Sequence, residues 1–395
     1  MPSFSDDVSE VIRKLSDFEK SWLVREVIRV MSMKPGEPCW CGAPKYFQDC
    51  HQSKSSKRKL TDAEIRSSLS RIFDNYKYCC ADFDSGNCEL PIKGAHTVQR
   101  GKVLASIAIN GHVGTFHRKI EDELRGDGRL RVGVTKQASI FYGFCSCHDT
   151  ELFKDIENSD FIPTRSNCWA SSYRAVCHEF YQKVAAQEGI VWMQQNAENG
   201  YQVHEQIVLH HSAMSMRYNL KKGKADAENM KNIYEAAHVD GAYDRLSSYV
   251  IEFDSPLQIA VCASISPFYD IDGVKIQNYE DPNIPLQHIA ISTVVRDGKA
   301  CYVLTHVKEH LGAAKYLDGV FARGWGFVKN WLFKSIFAYT ENNCFSLAWW
   351  DGLADSNKSE IESLARSQNY TRNVVFNGSV GDLVSGEIVL IESVL

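Results

Sequence analysis

No stretch of this 395-residue sequence is both long and uninterruptedly apolar. The most apolar segment, Gly324 to Trp350, is broken by Lys329, Lys334 and Glu341, so it predicts a buried helix and a strand rather than a membrane span. The start, MPSFSDDVSEVIRKL, brings acids early and has no apolar core, which argues against a secretory signal. Charge of one sign is lacking too. The net charge is −5 and the pI about 6.2, so any site for a polyanion must be local. Internal repeats, a P-loop, a dinucleotide fingerprint and Gly-x-Ser-x-Gly are all missing, which leaves little support for a small-molecule enzyme.

What is present is a foldable chain of two or three domains by length, 44% hydrophobic and 11% aromatic, outside the range of disordered proteins. It also holds 13 cysteines. Without an export signal these are expected to be reduced, in a cytoplasmic setting where clustered thiols serve as metal ligands rather than disulfides. Cys39, Cys41, Cys50, Cys79, Cys80, Cys88, Cys145 and Cys147 all fall in the first half, which places the metal chemistry there.

Residues 4–33 carry a helical apolar face (Val8, Ile12, Leu15, Phe18, Leu23, Ile28), ended by Pro35-Gly36. A basic linker, Gln52 to Lys59, leads to Thr61, an N-cap with Glu64 three residues on, opening a helix to about Asn75. Between Tyr78 and Glu157 the spacing predicts short strands, such as Arg129 to Val134, and a helix after His148. Long helices are expected over 168–196 and 204–238. From Ser247 the pattern turns to strands (SYVIEF, IAVCASI, HIAISTVV, ACYVLTHV) with Asp297-Gly298 as a hairpin turn. A helix over about 312–338, a strand near Cys344, a helix over 357–366 and two final strands complete the reading.

The first constellation is P-C-W-C-G-A-P-K-Y-F-Q-D-C-H, in which Cys39, Cys41, Cys50 and His51 offer four ligands within thirteen positions. A segment so short has no core of its own, and a tetrahedral zinc ion supplies what burial cannot. Gly42 permits the tight turn between the ligand pairs. These residues resemble the SEC-C motif, the zinc knuckle that ends the SecA translocase and is attached to many bacterial proteins. Lys45 matches a lysine of that motif, whereas Ala43-Pro44 depart from its usual Ser-Gly without touching a ligand. The resemblance implies zinc and either a docking role or a stabilising staple.

The second constellation places seven residues between Cys80 and Cys88 and seven between Cys88 and His96, then after a gap of 48 residues Cys145 and His148 open a helix within F-C-S-C-H-D. The first helical turn points those two side chains one way, and Cys80 with Cys88 forms the other half-site; Cys79 and Cys147 are alternatives. His96 is then left over. This order resembles the HNH nucleases, in which a zinc-held ββα scaffold presents a histidine after the first cysteine pair. The resemblance implies that His96 is a general base activating water against a phosphodiester, with a divalent metal on the leaving oxygen. No aspartate stands immediately before His96 and no clear asparagine lies between the pairs; Asp149 is the one carboxylate placed to hold a catalytic metal.

That departure bears on substrate. RNA carries its own nucleophile, the 2′-hydroxyl, so a histidine base, a second acid and an arginine clamp suffice, and His96, Arg100, His112 and His117 supply those types. Arg174, His178 and Glu179 share or flank one helix face, most simply as an intrahelical polar face. Arg118, Lys119, Arg125, Arg129 and Arg131 are balanced by Glu121, Asp122, Glu123 and Asp127 and read as a solvated surface. Trp349 and Trp350 are expected in the core.

The expectation is therefore an α+β protein. It comprises an N-terminal helix with a zinc knuckle (1–60), a zinc-held ββα, treble-clef-like module with a long helix (61–200), and a mixed α+β domain for sensing or oligomerisation (201–395). Two structural zinc ions are expected. The combination resembles bacterial antiviral-defence zinc-finger ribonucleases, implying a nucleic-acid substrate with RNA favoured over DNA, a protein activator, a homo-oligomer and no membrane. The alternatives are a non-catalytic zinc-binding adaptor and a metal-dependent HNH DNase.

Overall fold

The computed structural model describes all residues except 1–7, 9–11, 14, 89–94, 117–130, 137, 280, 282 and 367–379. It is a mixed α+β chain that divides into two units. The first is drawn from residues up to Tyr76 and from Lys183–Gly223; the second holds the remaining described residues. This division crosses the expected borders at 60 and 200, because two long helices, Arg165–Asn196 and Val203–Val239, each supply residues to both units.

In the first unit, helix α1 (Asp17–Met31) starts at a capping box in which Ser16 and Glu19 satisfy each other's backbone N–H groups. A short 3₁₀ turn (Phe47–Asp49) and the single-turn helix α2 (His51–Lys54) follow. Helix α3 (Asp62–Asn75) opens on the Thr61–Glu64 box expected from the sequence. Leu23 and Val30 of α1 pack with Cys39, Phe47 and Ile207, Val208 and Leu209. Ile65 and Leu69 of α3 form a second cluster with Met193 and Ala197.

The second unit is built on an eight-stranded antiparallel sheet. In chain order the strands are β1 (Ala95–His96), β2 (His112–Thr115), β3 (Arg131–Val134), β4 (Ile140–Phe141), β5 (Leu246–Phe253), β6 (Ile259–Ile265), β7 (Ile289–Arg296), β8 (Lys299–Val307), β9 (Asn343–Phe345) and β10 (Ile388–Val394). The sheet order is β10-β5-β8-β7-β6-β9-β2-β3, while β1 and β4 form a separate antiparallel pair. Asp297 and Gly298 both take positive φ, 49° and 76°, the backbone a two-residue hairpin between β7 and β8 requires. β2 joins β9 through one pairing, Gly114 with Phe345.

Central strands are buried along nearly their whole length, so helices cover both faces. Successive residues of β8 show the two sides. Tyr302 meets Phe333, whereas Cys301 and Val303 pack with Phe161 and Cys168. In chain order the helices continue as α4 (Ser146–Asn158), α5 (Arg165–Asn196), α6 (Val203–Val239), α7 (Leu311–Phe321), α8 (Trp325–Tyr339), α9 (Leu347–Asp351) and α10 (Asp355–Arg366). The helix expected over 312–338 is two, parted at Gly324, whose φ of 85° no helix continues through. Every residue of α8 from Val328 to Tyr339 is buried, with Lys329 paired to Glu387 and Lys334 to Glu360. No helix among the described residues is long and apolar enough to cross a membrane. Of the two final strands expected, β10 is described; residues 367–379 lie outside the description.

Candidate functional site

Two Cys₃His clusters stand out, each with ligand atoms within 4.8 Å of one another, and each could hold a metal ion. The first is Cys39, Cys41, Cys50 and His51. The backbone bridge between Pro38 and Tyr46 brings the two halves of the loop together, and Gly42 turns at φ 79°. His51 directs Nδ1 at the sulfurs, 3.2 Å from Cys39 Sγ and 3.3 Å from Cys50 Sγ, while Cys41 and Cys50 place their sulfurs 3.8 Å apart. Contact with the Cys41 thiol lowers the Cys39 pKa to about 3 against the raising effect of burial, and the same contact raises that of Cys41.

The other imidazole nitrogen of His51 faces a carboxylate that no sequence signal announced. Nε2 lies 2.6 Å from Oε2 of Glu198, a close contact whose line is bent away from the ring N–H direction. Glu198 also meets Lys54 Nζ at 2.8 Å and His210 Nδ1 at 3.1 Å. Burial alone raises the Glu198 pKa, but His210, His51 and Lys54 outweigh it and hold the carboxylate at about 2.

The second cluster is Cys79, Cys88, Cys145 and His148. It corrects the expected ligand set in one place, since Cys79 takes the position expected of Cys80. Residues 78–80 run alongside 142–143, with Tyr78 N–H donating to the Tyr142 carbonyl and Cys80 N–H to that of Gly143. Adjacent side chains on such a stretch point opposite ways. Cys80 is fully buried with Sγ 3.7 Å from the Cys177 carbonyl, and burial raises its pKa. Burial likewise pushes the Cys79 thiol up to about 12. Cys145 caps α4, accepting at Sγ from the His148 N–H, which sets Sγ 3.2 Å from His148 Nδ1. Cys79 Sγ lies 3.3 Å from the same nitrogen. Again Nε2 turns to a carboxylate, Asp84 Oδ2 at 3.4 Å. Cys88 is exposed, unlike the buried Cys79, Cys145 and His148.

His96 belongs to neither cluster. It is half-buried on β1, and Nε2 lies 3.1 Å from the Thr135 carbonyl. A carbonyl only accepts, so Nε2 carries the proton and the basic lone pair sits on Nδ1. Thr135 lines a cavity of about 580 Å³ open to solvent, together with Arg100, Gly101, Ala105, Ala108 and Gly111. Arg100 is exposed at the start of a π-turn (Arg100–Leu104). His112, the residue after Gly111, is exposed on β2 and donates from Nδ1 to the Asn110 carbonyl at 2.8 Å. His96 and His112 stand in different sheets. His117 and the basic stretch at 118–130 lie outside the described residues, as does the side chain of Arg131.

Asp149 is not placed in any group that could hold a metal among the described residues. It faces Arg174 instead, Nη2 to Oδ1 at 3.5 Å, and the same Nη2 meets Glu157 at 2.7 Å while the guanidinium lies 3.8 Å over the Phe153 ring. Burial raises the Asp149 pKa. The cavity beside Arg174, lined also by Thr97, Glu157 and Cys262, measures about 20 Å³, too small for any substrate. The polar face expected of Arg174, His178 and Glu179 is thus divided, since Arg174 reaches to α4 and His178 bonds to Gln182 at 3.2 Å.

Comparison with family models, with curated proteins and with solved structures gave no match to this chain.

Proposed function

We propose that this chain is a zinc-scaffolded nuclease that cleaves RNA with His96 as general base. For zinc, what supports the reading is the ligand set and its spacing. Thiolates at the usual zinc bond length of about 2.3 Å stand about 3.8 Å apart on a tetrahedron, and the Cys41 and Cys50 sulfurs are 3.8 Å apart. Each cluster draws all four ligands from the chain, the pattern of closed structural sites. In the second, the β1–β4 pair followed by α4 fits a ββα module.

The observation that carries the catalytic reading is the place of His96. It lies outside both clusters on the strand pair preceding α4, with its tautomer set by Thr135, a residue lining the open cavity that Arg100 also lines. In the proposed step Nδ1 of His96 takes the proton of a 2′-hydroxyl as that oxygen attacks phosphorus. The 5′-oxygen leaves with the Nε2 proton of His112 in its imidazolium form, Nδ1–H staying on the Asn110 carbonyl, and Arg100 offsets charge on the phosphoryl oxygens, giving a cyclic 2′,3′-phosphate and a 5′-hydroxyl. A metal-dependent HNH DNase is the weaker alternative, because Asp149 is engaged with Arg174. An antiviral role, a protein activator, self-association and a reducing cytoplasmic setting belong to the same proposal.

The competing reading, a non-catalytic adaptor, draws on the closed nature of both clusters. Incubation of the purified protein with RNA and with plasmid DNA, with and without candidate activators, separates the two. Cleavage of RNA lost in His96→Ala and kept in Asp149→Asn is expected. Undiminished cleavage by His96→Ala sinks the base assignment, and growth inhibition that the same variant fails to relieve counts against an enzyme.

A further inference from the structure

Both clusters offer Nδ1 to the sulfurs and turn Nε2 to a carboxylate, but the two carboxylates differ in setting. The Asp84 side chain is 43% exposed, whereas that of Glu198 is 2% exposed. Metal-bound histidines are commonly oriented by such outer carboxylates. Glu198 lies in the turn between α5 and α6, and that turn is clasped by the knuckle at several points. Lys54 Nζ meets both Glu198 and the Gln194 carbonyl at 2.8 Å, and the Gly200 N–H donates to the Lys54 carbonyl at 2.8 Å. A side chain at Gly200 would come within 2.4 Å of the Lys59 backbone, so only glycine permits the approach. Trp40 closes the group, its ring 4.4 Å from that of His51 and 5.0 Å from that of His210.

Resting on the metal reading above, we propose that Glu198 is the outer-sphere carboxylate of the first centre, holding His51 as the Nε2–H tautomer with Nδ1 on the metal. Nδ1 faces the Cys39 and Cys50 sulfurs and gives its lone pair to the ion, which leaves the proton on Nε2, the nitrogen beside the Glu198 carboxylate. A second ion shared by His51, Glu198 and His210 does not fit the same atoms. Tetrahedral coordination holds a nitrogen and an oxygen about 3.3 Å apart, and the Lys54 ammonium already stands on that oxygen. The ion's affinity is therefore set partly by a residue 144 positions beyond Lys54. Glu198 is a positioning residue.

The test uses the full chain, titrated with zinc against a chromophoric chelator, and nitrogen-15 NMR of its histidines. Glu198→Gln should weaken one of the two sites by about 10- to 100-fold and leave the other unchanged. Zinc-loaded wild type should show His51 protonated at Nε2. Lys54→Gln, which leaves the His51 contact in place, should shift affinity less than about 3-fold, the scale of an incidental neighbour. Two tight sites unaltered in Glu198→Gln overturn the proposal alone, as does an equal loss in Lys54→Gln, which would mark Glu198 as mere packing. A wild-type chain that takes up no zinc overturns the metal reading with it. Should Glu198→Gln fail to fold, the tautomer of wild type still decides: a proton on Nδ1 refutes the proposal.

Discussion

Cys79 and Cys80, neighbours in sequence, send their sulfurs to different destinations: Cys79 Sγ lies 3.3 Å from His148 Nδ1, and Cys80 Sγ lies 3.7 Å from the Cys177 carbonyl. Their substitution should separate metal binding from packing. Cys79→Ser is expected to remove one equivalent of bound zinc. Cys80→Ala should keep the metal and lower stability by about 1 kcal/mol, the cost of a small cavity. Metal analysis of the purified variants, with urea melts, reads both effects; loss of the ion in Cys80→Ala rather than Cys79→Ser would reverse the ligand assignment.

Arg174 anchors α5 to α4 by serving Glu157, Asp149 and the Phe153 ring with one buried guanidinium. Removing it strands two carboxylates that are only partly open to water. Arg174→Met is expected to cost about 2–3 kcal/mol, less than for a wholly buried pair because the acids retain some hydration. Arg174→Lys should recover under half of that, since an ammonium reaching the two acids cannot also lie flat on the Phe153 ring. Denaturant midpoints measure each.

At Gly114 an added Cβ would sit 2.4 Å from the Phe345 ring. That ring is fully buried, packed against Phe116, Phe337, Trp349 and Trp350, so it has nowhere to go. Gly114→Ala should therefore cost about 1–3 kcal/mol and weaken the join of β2 to β9. Hydrogen exchange at residues 112–115, compared with β5 to β8, would show the loss to be local; unchanged protection there would count against it.

His310 contributes to the pH dependence. Burial first, then the nearby His288 and His306, lower its pKa from 6.5 to about 4, and its buried Nδ1 has no hydrogen-bond partner among the described residues. The unfolded chain binds a proton there below 6.5 that the folded chain refuses until about 4, so stability falls as pH drops through that window. Discounted for the part of the ring open to solvent, the loss is about 2 kcal/mol. His310→Gln should flatten the stability profile between pH 7 and pH 4.5 relative to wild type; parallel profiles would refute it.

Much of the scaffold was legible because its signals are local. The Thr61–Glu64 capping box, the Asp297-Gly298 turn and the apolar runs of β6, β7 and β8 each declare their backbone within a few residues. The gathering of Cys39, Cys41, Cys50 and His51 into one cluster was legible for the same reason. The second cluster was readable except at one position, where a spacing of seven or eight residues cannot say which neighbour faces inward. Glu198 and the Arg174–Glu157–Asp149 group were not legible, since their partners meet only through tertiary packing. The expected borders at 60 and 200 failed to anticipate helices that each supply both units, a matter of helix length that periodicity shows but domain counting ignores.

The pairing of β2 with β9 has a bearing on how the polypeptide is made. Thr115 and Asn343, bonded side chain to carbonyl, are 228 positions apart. All eight cluster ligands precede residue 149, so a ribosome has delivered both finger sets long before the strand that β2 awaits. On the zinc reading proposed above, ion capture would need nothing from the sheet, although the Glu198 clasp arrives later.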